Sequence, residues 1–430
     1  MSTTPTPLQA RALNSPRAVL FASLVGTTVE FFDFYIYATA AVLVFPRLFF
    51  PKADPAAAIL QSLATFSLAF LARPVGSAIF GHFGDRIGRK ATLVAALLTM
   101  GISTVLIGLL PTYRSVGILA PILLALCRVG QGLGLGGEWG GAILMATENA
   151  PPAKRGWFGM FPQLGAPVGF ICSGGIFLLL SRTLNNAQFL DYGWRLPFLA
   201  SSGLVLVGLY VRLQITETPA FQQAMDRKQR VAVPFLTLWR EHAASVALGT
   251  LICLALFLLF YILTVFCLSW GTTRLGFTRN QFLLMQMVGV LFFAATIPAS
   301  ALLGDRHGRR ITLMLVTIAI GVFGLVLGPL FSAGMTGAVL TMIIGFLLTG
   351  MAYGPTGTVL AELFPTSVRY TGSSISFNLA GIFGGSLAPY IATRLAERHG
   401  LAAVGYYLDV AAALTLLALW ISRETRDTEF

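Results

Sequence analysis

Charged residues are scarce in this 430-residue chain: Asp, Glu, Lys and Arg make up 11% of it, while 56% is hydrophobic. Soluble domains carry about a quarter charged residues, so a water-facing exterior for a chain this long is excluded, and lipid must take its place. The net charge of +12 does not describe a nucleic-acid surface. The basic residues recur in short segments between apolar runs, so no nucleic-acid partner is expected. Cysteine is scarce too. Cys127, Cys172, Cys253 and Cys267 all lie inside apolar runs, without metal-ligand spacing or a disulfide framework, and read as packing residues. The four histidines show no clustering of a metal site. No G-x-x-x-x-G-K-S/T occurs and nothing resembles a nucleophile elbow, which argues against an ATP-driven pump and against an enzyme. No sizeable soluble domain exists to serve a receptor.

What the chain has in quantity is apolar runs of spanning length. They fall at roughly 18–46, 58–81, 91–110, 117–147, 156–180 and 194–214, then at 243–272, 281–303, 311–330, 336–361, 371–393 and 402–422. The expected fold is an all-α polytopic membrane protein of twelve transmembrane helices in two six-helix pseudo-symmetric bundles. The division is a tail (1–17), a first bundle (18–214), a central linker (215–242), a second bundle (243–422) and a tail (423–430). Lys and Arg distribute eighteen to nine between the two sides, which places both termini and the linker in the cytoplasm. A monomer in a bacterial inner membrane is expected, with the bilayer and a small-molecule substrate as its partners.

The halves repeat. GHFGDRIGRK (Gly81–Lys90) recurs as ALLGDRHGRR (Ala301–Arg310), 220 residues on; Glu148 and Arg155 recur as Glu362 and Arg369, 214 residues on; Glu217-Thr218 recurs as Glu424-Thr425. Two parallel six-helix units with a site between them near mid-membrane form a transporter architecture.

Within the first run, VEFFDFYIY (Val29–Tyr37) sets Glu30 and Asp33 on one helix face, with Tyr37 a turn further on. An acid inside a membrane marks a functional site by default. The fourth run reads RVGQGLGLGGEWGGA from Arg128. Its G-x-G-x-x-G has no strand before it and no βαβ unit around it, so Gly132, Gly136 and Gly140 read as a helix-contact stripe rather than a dinucleotide site. Arg128 lies ~30 Å and Asp33 ~24 Å from the cytoplasmic ends of their helices, depths at which the two side chains can meet. A static ion pair fixing two helices is the alternative.

These stretches carry a resemblance. G-x-x-x-D-R-x-G-R-K/R is similar to the loop motif of the major facilitator superfamily, whole in the first half and with Ala301 for its leading glycine in the second. Together, VEFFDFYIY, FLARPVGSAIFGHFGDRIGRK, RVGQGLGLGGEWGGA and ELFPTSVRYTG more narrowly resemble the metabolite:proton symporter family, whose members take up shikimate, citrate, 2-oxoglutarate, or proline and betaine. The resemblance implies that Asp33 and Arg128 form a proton-coupling pair. A substrate carboxylate that draws Arg128 away would leave Asp33 to take up a proton. Glu30 and Glu138 are alternative carriers, or caps of neighbouring backbone.

The resemblance also implies a cytoplasmic gate of Asp85, Arg86, Arg89, Glu148, Arg155 and Glu217 in one half, with Asp305, Arg309, Glu362, Arg369 and Glu424 in the other. Asp85 and Asp305 are expected at the starts of the third and ninth helices, facing the helix dipole. Polar residues left inside helices are candidates for holding substrate: Tyr37, Gln131, Gln163, Tyr261, Gln286, Tyr353 and Asn378, with Arg128 and Arg73 for an anionic group. Gly165, Pro167, Gly169 and Pro389 are candidate bends, and Asp409 an interfacial acid near the outside. The expected function is proton-coupled symport of a small organic acid by alternating access, with the proton as coupling ion and no other cofactor. A uniporter or exchanger of the same solutes, or a proton symporter of a zwitterion such as proline or betaine, are the alternatives.

Overall fold

Each apolar run forms a helix because the bilayer leaves backbone N–H and C=O groups no partner outside their own segment. The computed structural model describes residues 16–51, 54–87, 89–213, 234–365 and 368–426. Twelve helices among them are long and apolar enough to cross a membrane: α1 (Arg17–Leu43), α2 (Ala57–Phe83), α3 (Lys90–Leu109), α4 (Leu119–Glu148), α5 (Arg155–Thr183) and α6 (Arg195–Leu213), then α7 (Ala243–Thr273), α8 (Arg279–His307), α9 (Arg309–Phe331), α10 (Gly334–Glu362), α11 (Arg369–His399) and α12 (Leu401–Ile421). The shortest, 19 residues, reaches ~29 Å, about the thickness of a hydrocarbon core. Even passage number puts both chain ends at one face, called here the termini face. A short amphipathic helix, Pro234–Glu241, precedes α7 there.

Helix pairing follows the sequence repeat. In the first half α2 packs on α4, α3 on α4 and α6, and α1 on α5 and α6; in the second α8 packs on α10, α9 on α10 and α12, and α7 on α11 and α12. The halves meet along two seams, α5 against α8 and α2 against α11, which exchange under the repeat. Glycines make the closest of these contacts. A Cβ on Gly136 would stand 2.0 Å from the Arg73 carbonyl of α2, and one on Gly140 would stand 1.9 Å from the Ser374 hydroxyl of α11. The glycine stripe of α4 is thus a packing surface toward both α2 and the other half. Gly165 and Gly169 are likewise close approaches, to Thr27 and to the Thr28–Phe32 backbone of α1.

Two spans of the second half are interrupted by a π-helical turn, Ile262–Phe266 in α7 and Ile382–Ser386 in α11. Such turns free carbonyls, which must find donors in a dry interior. The Gln286 amide supplies them in α7, donating to the Leu263 and Thr264 carbonyls at 3.1 and 2.9 Å. Pro389, whose missing N–H suits a helix start, sits at the beginning of the segment that follows the α11 turn.

Candidate functional site

Among the described residues, the first half buries Glu30 and Asp33 on α1, Arg73 on α2, Arg128 and Glu138 on α4, and Arg212 on α6 between its helices, with Arg155 at the termini face. Those between the helices form two layers. In the layer farther from the termini face, Asp33 is fully buried and neither carboxylate oxygen accepts a hydrogen bond. The hydroxyls of Ser201 (α6) and Thr104 (α3) face it. Thr104 accepts from Gln131 Nε2 at 2.7 Å, and Gln131 Oε1 accepts from Arg128 Nη1 at 2.9 Å. The direct Asp33–Arg128 ion pair expected from matching depths is therefore not formed in this conformation. Gln131 and Thr104 stand between them. Arg128 is held instead by aromatic faces, with its guanidinium carbon 4.0 Å from the Tyr37 ring centre and 4.7 Å from Phe34. The Tyr37 hydroxyl points to Thr65, at 3.1 Å.

In the layer nearer the termini face, Glu138 pairs with Arg212, whose Nη1 also donates to the Leu93 carbonyl at 2.6 Å. Arg212 is buried because its side chain turns back from the last turn of α6 into a notch left by Gly26, where a Cβ would lie 2.8 Å from Nη2. Glu30 faces Glu138, Arg73 and Arg212, and its Oε2 has no hydrogen-bond partner. Arg73 lies over Phe34 and Phe70, at 4.6 and 4.8 Å.

The second half answers this charge with rings and amides. Tyr261, Tyr353, Phe257 and Phe377 join Phe31 and Tyr35 of α1 around a central cavity of about 30 Å³. Of the substrate candidates, Tyr261 and Tyr353 line it. Gln163 bridges the halves, accepting from Trp139 Nε1 at 3.1 Å and donating to the Tyr353 carbonyl at 2.9 Å. Asn378 bridges them at the other seam, donating to Ser77 Oγ at 2.7 Å. Gln286 is taken up by the α7 backbone and Gln131 by Arg128 and Thr104. Trp139 of α4 stacks on Phe377 of α11, centroids 3.6 Å apart, on the termini side of the cavity.

At the termini face, Asp305 does not start the ninth helix as expected. It lies in the last turn of α8 and caps a helix of the other half, accepting from the Gly156 and Trp157 amides at the N-terminus of α5, both at 3.0 Å. The attraction to a helix dipole holds, but the helix is α5. Asp305 also pairs with Arg309 at 3.2 Å, and Arg309 with Glu362 at 2.7 Å. Glu424 accepts from the Arg309 and Arg310 amides at the start of α9. Arg369 is buried and donates to the Phe364 carbonyl at 3.1 Å. Arg155 is buried at the start of α5, and Glu148 ends α4. Asp85 likewise lies near the end of the helix Pro55–Ile87 and not at the start of α3; its side chain and those of Arg86, Arg89 and Glu217 lie outside the described residues. Asp409 is not interfacial: it sits ~12 Å along α12, pressed on Gly324 of α9, with neither oxygen hydrogen-bonded.

The chain matches the family described as sugar (and other) transporters over residues 18–237 and 236–429. It is 56% identical to the inner membrane metabolite transport protein YhjE of Escherichia coli K12, over 96% of each chain. It is 37% identical to the shikimate transporter of the same organism, over 89% of each, and 34% identical to its proline/betaine transporter, over 95% of this chain and 84% of that one. This chain belongs to the major facilitator superfamily. The fold agrees: a solved structure of the proton:xylose symporter XylE superposes with a TM-score of 0.73 at 17% identity, over 94% of each chain. The protein is a multi-pass membrane transporter of metabolites and not an enzyme. Sequence reasoning about this facilitator missed Arg212, Thr104 and Ser201. Neither an arginine in a last helical turn nor two hydroxyls in apolar runs carry a sequence signal of which way they point.

Proposed function

We propose that this transporter carries a small organic anion together with a proton, by alternating access, with both termini on the cytoplasmic side of a bacterial inner membrane. The observation that carries the reading is Asp33: a buried acid faced by the Ser201 and Thr104 hydroxyls and separated by Thr104 and Gln131 from an arginine that makes no ion pair among the described residues. In the outward-facing state Asp33 takes the proton while Arg128 is free to receive a carboxylate. After the switch the substrate leaves, Arg128 reaches Asp33, and the proton is expelled. Asp305, Arg309, Glu362 and the α5 N-terminus hold the cytoplasmic end shut meanwhile. The names of the shikimate and proline/betaine relatives support a small polar solute bearing a carboxylate.

The test is uptake into proteoliposomes with and without an imposed proton gradient. Asp33→Asn is expected to lose gradient-driven accumulation and keep substrate exchange; intact accumulation in that variant would leave the coupling reading without its acid. A second reading, symport of a zwitterion, is favoured by the aromatic lining of the central cavity, since ring faces attract quaternary ammonium. Thermal-shift screening against shikimate, citrate, proline and betaine separates the two, and stabilisation by betaine alone selects the second. Reporter fusions at each terminus check the orientation.

A further inference from the structure

The described residues enclose an opening much larger than the central cavity. At the face opposite the termini, between the halves, lies a vestibule of about 720 Å³, within the size range of small-molecule sites. Among its described lining residues the only charged side chains are Arg47, from the first half, and Arg279, from the second. Neither makes an ion pair among the described residues, and the two are within electrostatic reach of one another. Arg279 is held in place, its guanidinium 4.1 Å from the Phe189 ring centre. Asn186, Thr272 and Thr273 add neutral polar groups, and Val42, Leu43 and Phe277 an apolar floor.

Like charges placed together without an acid in the lining repel, and an anion seated between the two guanidiniums removes that repulsion. We infer that the vestibule is an anion-capture site, which takes a carboxylate-bearing solute from bulk water and presents it to the interior. The route inward is short. Val42 of the floor is ~8 Å along α1 from Tyr37, whose ring carries Arg128. A carboxylate passes from an outer pair of arginines to a buried one, and two cations with no acid in the lining attract a net anion more strongly than a zwitterion, whose ammonium they repel. The inference narrows the proposed function to net anions, and rests on it only for the solute's onward journey.

Labelling in detergent tests this without any gradient. With Cys127→Ser and Cys172→Ser removing accessible thiols, Thr273→Cys places a thiol in the vestibule. Rates are measured with an anionic and a cationic methanethiosulfonate. The anionic reagent is expected to react faster, with the rate ratio falling about fivefold in Arg47→Gln/Arg279→Gln and at high salt. Arg47→Lys/Arg279→Lys should keep the ratio, which a merely structural role of the arginines would not do. Citrate should slow labelling, and betaine at equal concentration should not. A ratio indifferent to the arginines, or equal protection by citrate and betaine, overturns the inference. Because no proton gradient enters, failure here leaves the Asp33 test standing, and failure there leaves this one readable.

Discussion

At the scale of single residues, the first half concentrates buried charge around the level of Asp33 and Glu138, whereas the buried charges described in the second half lie mainly at the termini face. Glu138 and Arg212 form the tightest part of the first-half cluster. Removing one partner leaves the other buried and uncompensated, so Glu138→Gln is expected to destabilise by about 3–5 kcal/mol. Glu138→Gln with Arg212→Met is expected to recover most of that, because it removes both charges; thermal unfolding in micelles reads both. If instead the two substitutions simply add, the pair is not coupled. This pair was illegible in the sequence for a physical reason. A loop arginine and one in the last helical turn share the same sequence neighbourhood, and only the direction of the side chain separates them. Asp33 and Arg128 were legible because an ionisable residue in an apolar run has few innocent explanations. Their spacing through Gln131 and Thr104 was not, since depth along two helices fixes height and leaves azimuth open.

At the scale of elements, helix count and pairing could be read directly. A spanning length and a matched landmark every 207 to 220 residues leave little freedom for the topology. What escaped were interruptions and caps. The π-helical turns have no sequence mark, and Gln286, chosen as a substrate ligand for its polarity, serves the one in α7. Asp305 was assigned to the wrong helix because the cap lies about 150 residues away in sequence and across the seam. Losing that cap in Asp305→Ala is expected to weaken closure of the termini face by about 1–2 kcal/mol. Spin-label distances across that face should then show the open population rising about tenfold; an unchanged distribution would assign closure to other contacts.

At the scale of the whole molecule, the two halves touch through layers of different chemistry. Aromatic rings close the centre, Trp139 stacked on Phe377 closes the next level, and the Asp305 cap closes the end. The far face stays open at the vestibule. Trp139→Ala is expected to thin the middle layer, so that preloaded proteoliposomes leak substrate without a gradient; retention equal to the parent would show the layer redundant. If the proposed coupling by Asp33 holds, buried charge in one half and aromatic shape in the other let the halves change separately. Solute preference is expected to follow substitutions around Phe257 and Tyr261, while coupling stays with Asp33.

The cap that Asp305 gives to α5 has one more consequence. Two backbone amides, of Gly156 and Trp157, lose their acceptor each time the termini face opens and must be met by water. Their deuterium uptake is therefore expected to report how often that face is open, rising in the presence of any solute that favours the open form, and is readable by mass spectrometry with no label attached.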